Sequence, residues 1–138
     1  TLFDGSVTEA IVISDKIGQA SALKMVFAAQ TKGFTALLCA IQATAEKLGV
    51  RDDLDAEWMK HGRAPEESQN SVRQVTAKAW RFKGEMQEIA DTFTGAGLPN
   101  GFFLSALEVY DRIGHFKGAS ETPELMDVLD SLMNTGEA

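Results

Sequence analysis

An all-α fold is predicted, and three observations predict it. Two segments of roughly 30 residues repeat their apolar residues at three-four spacing. Each segment closes on a helix-stop signal built around glycine. Only one short run in the chain has the β-branched character of a strand. The reading is a helical domain with two long helices and about three shorter ones.

The single strand candidate comes first. Leu2 and Phe3 precede a Gly5-Ser6 turn, and Ala10, Ile11, Val12 and Ile13 form a short run closed by Ser14-Asp15. A lone strand has no partner for its backbone N–H and C=O groups, which are costly to bury unpaired. The run is therefore expected to be an orphan strand whose sheet lies in a preceding segment.

The first long helix is expected over residues 19–48. Its apolar stripe is Leu23, Phe27, Phe34, Leu37, Ile41 and Leu48, interrupted by Gln30 and Thr44, and Lys47-Leu48-Gly49 closes it. The opposite side is rich in Ala, Leu and Cys, so the helix is apolar most of the way round, as in a central or subunit-contacting helix. A short helix is expected around residues 54–59. The second long helix opens at Pro65, with Glu66 and Glu67 in its first turn, and carries Val72, Val75, Ala79, Phe82, Met86, Ile89 and Phe93 to a stop at Gly95–Pro99. Asn100 opens a third helix through Ile113, and Thr122-Pro123-Glu124 opens a last one through Leu132.

Composition narrows the function. The chain has 138 residues, 44% hydrophobic and 24% charged, enough for one globular domain with a core. No apolar run approaches the roughly 20 residues of a membrane span. The net charge of −7 argues against a nucleic-acid partner. The lone cysteine, Cys39, excludes an internal disulfide and fits a reducing, cytoplasmic compartment. Packing is its expected role, because both histidines, His61 and His115, fall in loops. No motif for a metal site, P-loop or serine nucleophile is present, and no metal is expected.

Charge is distributed unevenly. Between Lys16 and Ala45 there are three lysines (Lys16, Lys24, Lys32) and no carboxylate; Arg73, Lys78, Arg81 and Lys83 form a second such window. Two cationic windows in an acidic chain suggest a site for a small anionic ligand, although solvated helix faces give the same pattern. Lys24 falls near the expected start of the first long helix, where the dipole disfavours a cation and suits a lysine to proton transfer. Lys24, Ala28, Thr31 and Thr35 share one helix face, with small residues leaving room for a ligand. The alternative is an exposed lysine that tolerates its position. Gly18 and Ser21, which flank that start, are candidates to hold a phosphate at a helix N-terminus, in a stretch too short for a dinucleotide fingerprint.

The run Gly18-Gln19-Ala20-Ser21-Ala22-Leu23-Lys24-Met25-Val26-Phe27, with Thr31-Lys32-Gly33, resembles the start of the C-terminal domain in 6-phosphogluconate dehydrogenase-like and 3-hydroxyisobutyrate dehydrogenase-like enzymes. Trp80-Arg81-Phe82-Lys83-Gly84-Glu85-Met86 and Ile89-Ala90 are similar to the second long helix of a poorly characterised branch. The resemblance implies that residues 1–17 are the tail of a preceding nucleotide-binding (Rossmann) domain and residues 18–138 a helical substrate-binding and dimerisation domain. It implies NAD or NADP as cofactor, bound mainly by that preceding domain, and a homodimer. Lys24 then takes the place of the catalytic lysine that handles the substrate hydroxyl proton. The family commonly has Asn four residues after that lysine, and its sugar-acid decarboxylating members have Glu seven after it; this chain has Ala28 and Thr31. The departures favour simple oxidation of a small hydroxyacid or related alcohol. Thr31, Arg81 and Lys78 are candidate substrate contacts, Arg81 as a bidentate partner for a carboxylate or phosphate, with an Arg81–Glu85 ion pair as the alternative. A stand-alone, non-enzymatic helical dimerisation module is the competing reading, and the isolated chain is expected to have no dehydrogenase activity.

Overall fold

The first apolar segment forms one helix that begins well before its own periodic stripe. A computed structural model describes residues 9–134, with side chains from Ile17 onward. Helix α1 spans Glu9–Lys47, 39 residues, or roughly 58 Å at 1.5 Å per residue. Ala10, Ile11, Val12 and Ile13 lie inside α1, so the expected orphan strand is not formed. The reason is the one that made the strand suspect: a helix satisfies its N–H and C=O groups within the segment and needs no partner. Leu2, Phe3 and the Gly5-Ser6 turn lie outside the described residues.

The stripe of large side chains on α1 faces outward, and the Ala- and Cys-rich side faces the core. Leu23, Phe27, Phe34, Leu37, Ile41 and Leu48 are all exposed, whereas Ala29, Ala36, Cys39, Gln42 and Ala43 are buried. Small residues win the inner side because they let neighbouring helices approach closely. At Gly33 an added Cβ would stand 3.1 Å from the Phe103 ring. A leucine or phenylalanine there would hold that helix away.

Helix α2 (Arg51–Lys60) buries none of its residues and is tethered by the Arg51–Glu46 ion pair at 2.7 Å. The second long segment is two helices rather than one. Helix α3 spans Pro65–Val75 and α4 spans Ala79–Gly95. Between them the backbone tightens into i→i−3 bonds, Ala77 N to Gln74 O and Lys78 N to Val75 O. Thr76 is buried, and its Oγ1 bonds back to Arg73 O at 2.7 Å, a local hydrogen bond that competes with the helix ladder. The apolar face still carries across the break: Val72, Val75, Ala79, Phe82, Met86 and Ile89 are buried.

Helix α5 (Gly101–Ile113) ends in a 3-10 turn at Gly114–Phe116, and α6 spans Leu125–Met133. The Asn100 side chain does not cap α5 but donates to Thr94 Oγ1 at 3.1 Å. The core fills the space among α1, α4, α5 and α6 with Met86, Ile89, Tyr110, Ile113, Val128 and Leu129. The Phe82 and Tyr110 rings meet edge to face at 5.5 Å, and Phe93 and Phe103 lie 4.6 Å apart. Arg112 Nη1 donates to Leu132 O at 2.8 Å, tying α5 to α6. Arg73 Nε donates to Pro123 O at 2.7 Å, tying α3 to the segment before α6. Among the described residues there are six α-helices and no strand.

Candidate functional site

Lys24 is fifteen residues into α1 because the helix starts at Glu9. The dipole acts over the first turn and does not reach it, so the argument from a helix start does not apply. Gly18 and Ser21 are also interior to α1. Their N–H groups belong to the helix ladder instead of standing free for a phosphate. Residues 17–24 are all exposed, and only from Met25 onward does α1 pack against the core. The lysine thus stands on a length of helix that projects beyond its own domain.

Its face is open and lightly polar. Ala28 and Thr35 are half-buried and Thr31 is exposed. Thr35 Oγ1 donates to Thr31 O at 3.1 Å, and Thr31 Oγ1 turns back to Phe27 O at 3.4 Å. These local bonds leave the hydroxyl oxygens able to accept from a ligand. Among the described residues, none of the three pockets lined by the core helices includes Lys24, Ala28, Thr31 or Thr35.

The other lysine of the first window has a structural role. Lys32 forms an ion pair with Glu85 of α4, and its ammonium lies 4.6 Å from the centre of the Phe82 ring. Tyr110 of α5 donates its hydroxyl to Lys32 O at 2.5 Å. Burial pushes the Tyr110 hydroxyl pKa up, with the neighbouring Cys39 adding to the rise. This link between α1, α4 and α5 was not foreseen from the sequence. Its signal was Glu85, the one carboxylate in the Trp80–Met86 block, at a position apolar spacing does not assign to the core.

The second window divides in the same way. Arg73 holds Pro123 O, and Lys83 pairs with Asp111 at 2.9 Å. Arg81 and Lys78 are exposed and make no ion pair among the described residues. The anticipated Arg81–Glu85 pair does not form, since Glu85 is taken by Lys32; Arg81 lies over the Phe82 ring at 5.7 Å. Nor does the chain bring Lys24 and Arg81 together. Helix α4 runs back along α1, so Arg81 lies one turn beyond Glu85 on one side of Lys32. Lys24 lies two turns away on the other, about 12 Å along the axis.

Cys39 is packed in the core, and the two histidines lie beyond the ends of α2 and α5. Cys39 is fully buried, and burial pushes its thiol from 9.0 up to about 12, which keeps the thiolate from forming near neutrality. His61 sits at the end of α2, and His115 bonds Ser131 Oγ at 3.1 Å. Trp80 is 44% exposed, with the Lys117 ammonium 4.0 Å from its ring. Among the described residues no three His, Cys, Asp or Glu side chains converge, and no helix is long and apolar enough to cross a membrane.

Residues 45–113, from the end of α1 through α5, match a domain of unknown function, DUF1932. The chain belongs to the DUF1932 family. DUF1932 is found in the C-terminal region of 3-hydroxyisobutyrate dehydrogenase-like proteins. The DUF1932 match includes Lys78 and Arg81 and stops short of Gly18, Ser21, Lys24 and Thr31. No curated protein and no solved structure matches the chain.

Proposed function

We propose that this chain is the helical C-terminal domain of an NAD(P)-dependent dehydrogenase that oxidises a small hydroxyacid or related alcohol. The observation that carries the reading is Lys24 on an uncrowded face of a helix that projects past its own core, beside a DUF1932 domain. A lysine presented in this way suits a site completed by a second body: a preceding nucleotide-binding domain, with residues 1–17 leading out of it. The described residues do not fit a dinucleotide by themselves. Gly18 and Ser21 are committed to a helix ladder, and no strand–turn–helix unit is present among them. NAD or NADP is therefore assigned to that preceding domain.

In this reading Lys24 relays the proton of the substrate hydroxyl while Thr31, seven residues on, orients the same group. Arg81 and Lys78 are too far from Lys24 in one chain to hold the same small anion. Their part in substrate binding then requires that the other body bring the two windows together. The outer face of α1 supplies a subunit contact in a homodimer.

Replacing Lys24 by Ala in the full-length protein is expected to lower kcat by about 100-fold or more, in the range general acid–base groups supply, with little change in KM. Wild-type turnover in that variant ends the proton-relay role. The 138-residue chain alone is expected to show no turnover with NAD or NADP. The exposed apolar side of α1 also suits a helical dimerisation module with no chemistry. A strand–G-x-G-x-x-G–helix unit encoded upstream of Thr1 decides for the dehydrogenase, and a start codon just before Thr1 decides for the module.

A further inference from the structure

The last turns of α1 and the ends of α5 and α6 enclose a pocket of about 270 Å³. Its floor is apolar, with Ala40 and Ala43 on α1, Val109 on α5 and Leu132 on α6. The two alanines leave a hollow that longer side chains on α1 would fill. The polar part of the lining is all of one kind. Its charged residues are Lys47 and Arg112, and Thr44 adds a hydroxyl. Among the described residues no carboxylate lines it, although the chain carries a net charge of −7.

Each of the three polar groups is available to a ligand. Lys47, in the last turn of α1, is exposed and makes no ion pair among the described residues. Arg112 is half-buried and held in place, with Nη1 donating to Leu132 O at 2.8 Å and Nη2 to Glu108 at 2.5 Å. Those bonds fix the plane of the guanidinium and leave further N–H groups of its fork to donate. Thr31, Thr35, Thr92 and Thr94 turn their hydroxyls back to a carbonyl of the preceding turn. Thr44 Oγ1 makes no such bond among the described residues.

We propose that this pocket binds a small amphipathic carboxylate, its acid group at Lys47, Arg112 and Thr44 and its apolar body on the alanine floor. The lining selects the class. An apolar floor with a few polar groups at one side suits a ligand divided in the same way. Two cations and a hydroxyl, with no carboxylate in the lining, suit an anion. Glu108 offsets part of the Arg112 charge, which favours a monoanion over a phosphate. Size sets the limit: a cavity of about 150 Å³ holds benzene, so this one suits an aromatic or short aliphatic acid. Thr44 lies about 30 Å along α1 from Lys24. Within one chain the ligand is therefore not the molecule on which Lys24 acts, and the site does not rest on the dehydrogenase reading.

Benzoate titrated into the 138-residue chain, followed by calorimetry and by methyl NMR shifts, tests the site. A Kd of about 0.1–1 mM is expected, as a ligand of about nine non-hydrogen atoms supports. The shifted methyls are expected to be those of Ala40, Ala43, Val109 and Leu132. Benzyl alcohol keeps the ring without the charge and is expected to bind about 10-fold more weakly. The same loss is expected for benzoate on Lys47→Gln, an exposed change that leaves the helical circular dichroism unchanged. Ala40→Leu fills the floor and is expected to abolish binding. No saturation by about 20 mM benzoate, or methyl shifts confined to other residues, overturns the site. Benzyl alcohol binding as tightly as benzoate, or Lys47→Gln binding like the wild type, overturns the carboxylate assignment.

Discussion

Tyr110 joins three helices through one side chain. It packs its ring on Phe82 of α4 and donates its hydroxyl to Lys32 O of α1 from its place in α5. Phenylalanine keeps the packing and removes the bond, so Tyr110→Phe is expected to cost about 1 kcal/mol, the net worth of one buried hydrogen bond, read as a lower midpoint in urea. Cys39 gives a sharper test. Its folded-state pKa, about 12, lies above the reference 9.0, so the unfolded chain loses the proton first. That contribution is intact below pH 9 and is lost as pH rises toward 12. The thermal midpoint is expected to fall through that window, and Cys39→Ala to flatten the fall. Native Cys39 should also resist iodoacetamide at pH 8 and react once urea unfolds the chain.

At the scale of elements, a left-handed glycine follows α1, α2 and α4, and a threonine marks the break between α3 and α4. Gly97 has φ +82, with Leu98 N bonded to Phe93 O and Gly97 N to Thr94 O, which closes α4 in a left-handed cap. Gly97→Ala meets no steric neighbour but must adopt that φ. The expected loss is about 1–2 kcal/mol, measurable by chemical denaturation. These stops were legible because glycine's backbone freedom is a local property. The break at Thr76 was not. Neither glycine nor proline marks it, and the apolar face runs through it unbroken from Val75 to Ala79. A hydroxyl returning to its own turn decides it, and this depends on burial.

For the whole molecule, the decisive feature is a central helix with two apolar sides. The chain buries the small side and leaves the large one outward, at Leu23, Phe27, Phe34 and Leu37. If a second copy covers that side, folding and association are linked. The thermal midpoint of the wild type is then expected to rise with protein concentration, and that of Phe34→Glu to be independent of it. A concentration-independent wild type would separate the two processes.

The sequence by itself determined that this chain is helical, where most helices stop, and that Lys24, Ala28, Thr31 and Thr35 share a face. Each of these follows from local chemistry: residue spacing, helix propensity and the freedom of glycine. It also carried the resemblance that gives Lys24 a proposed role. Only the tertiary structure decided which apolar side of α1 is the core, because periodicity marks a stripe and close packing chooses between two. Small residues took most of the inside, where α4 and α5 approach closely, with Gln42 the one long side chain buried there among the described residues. For the same reason only the fold could show Glu85 drawn to Lys32 instead of Arg81, and Lys24 standing clear of its own domain.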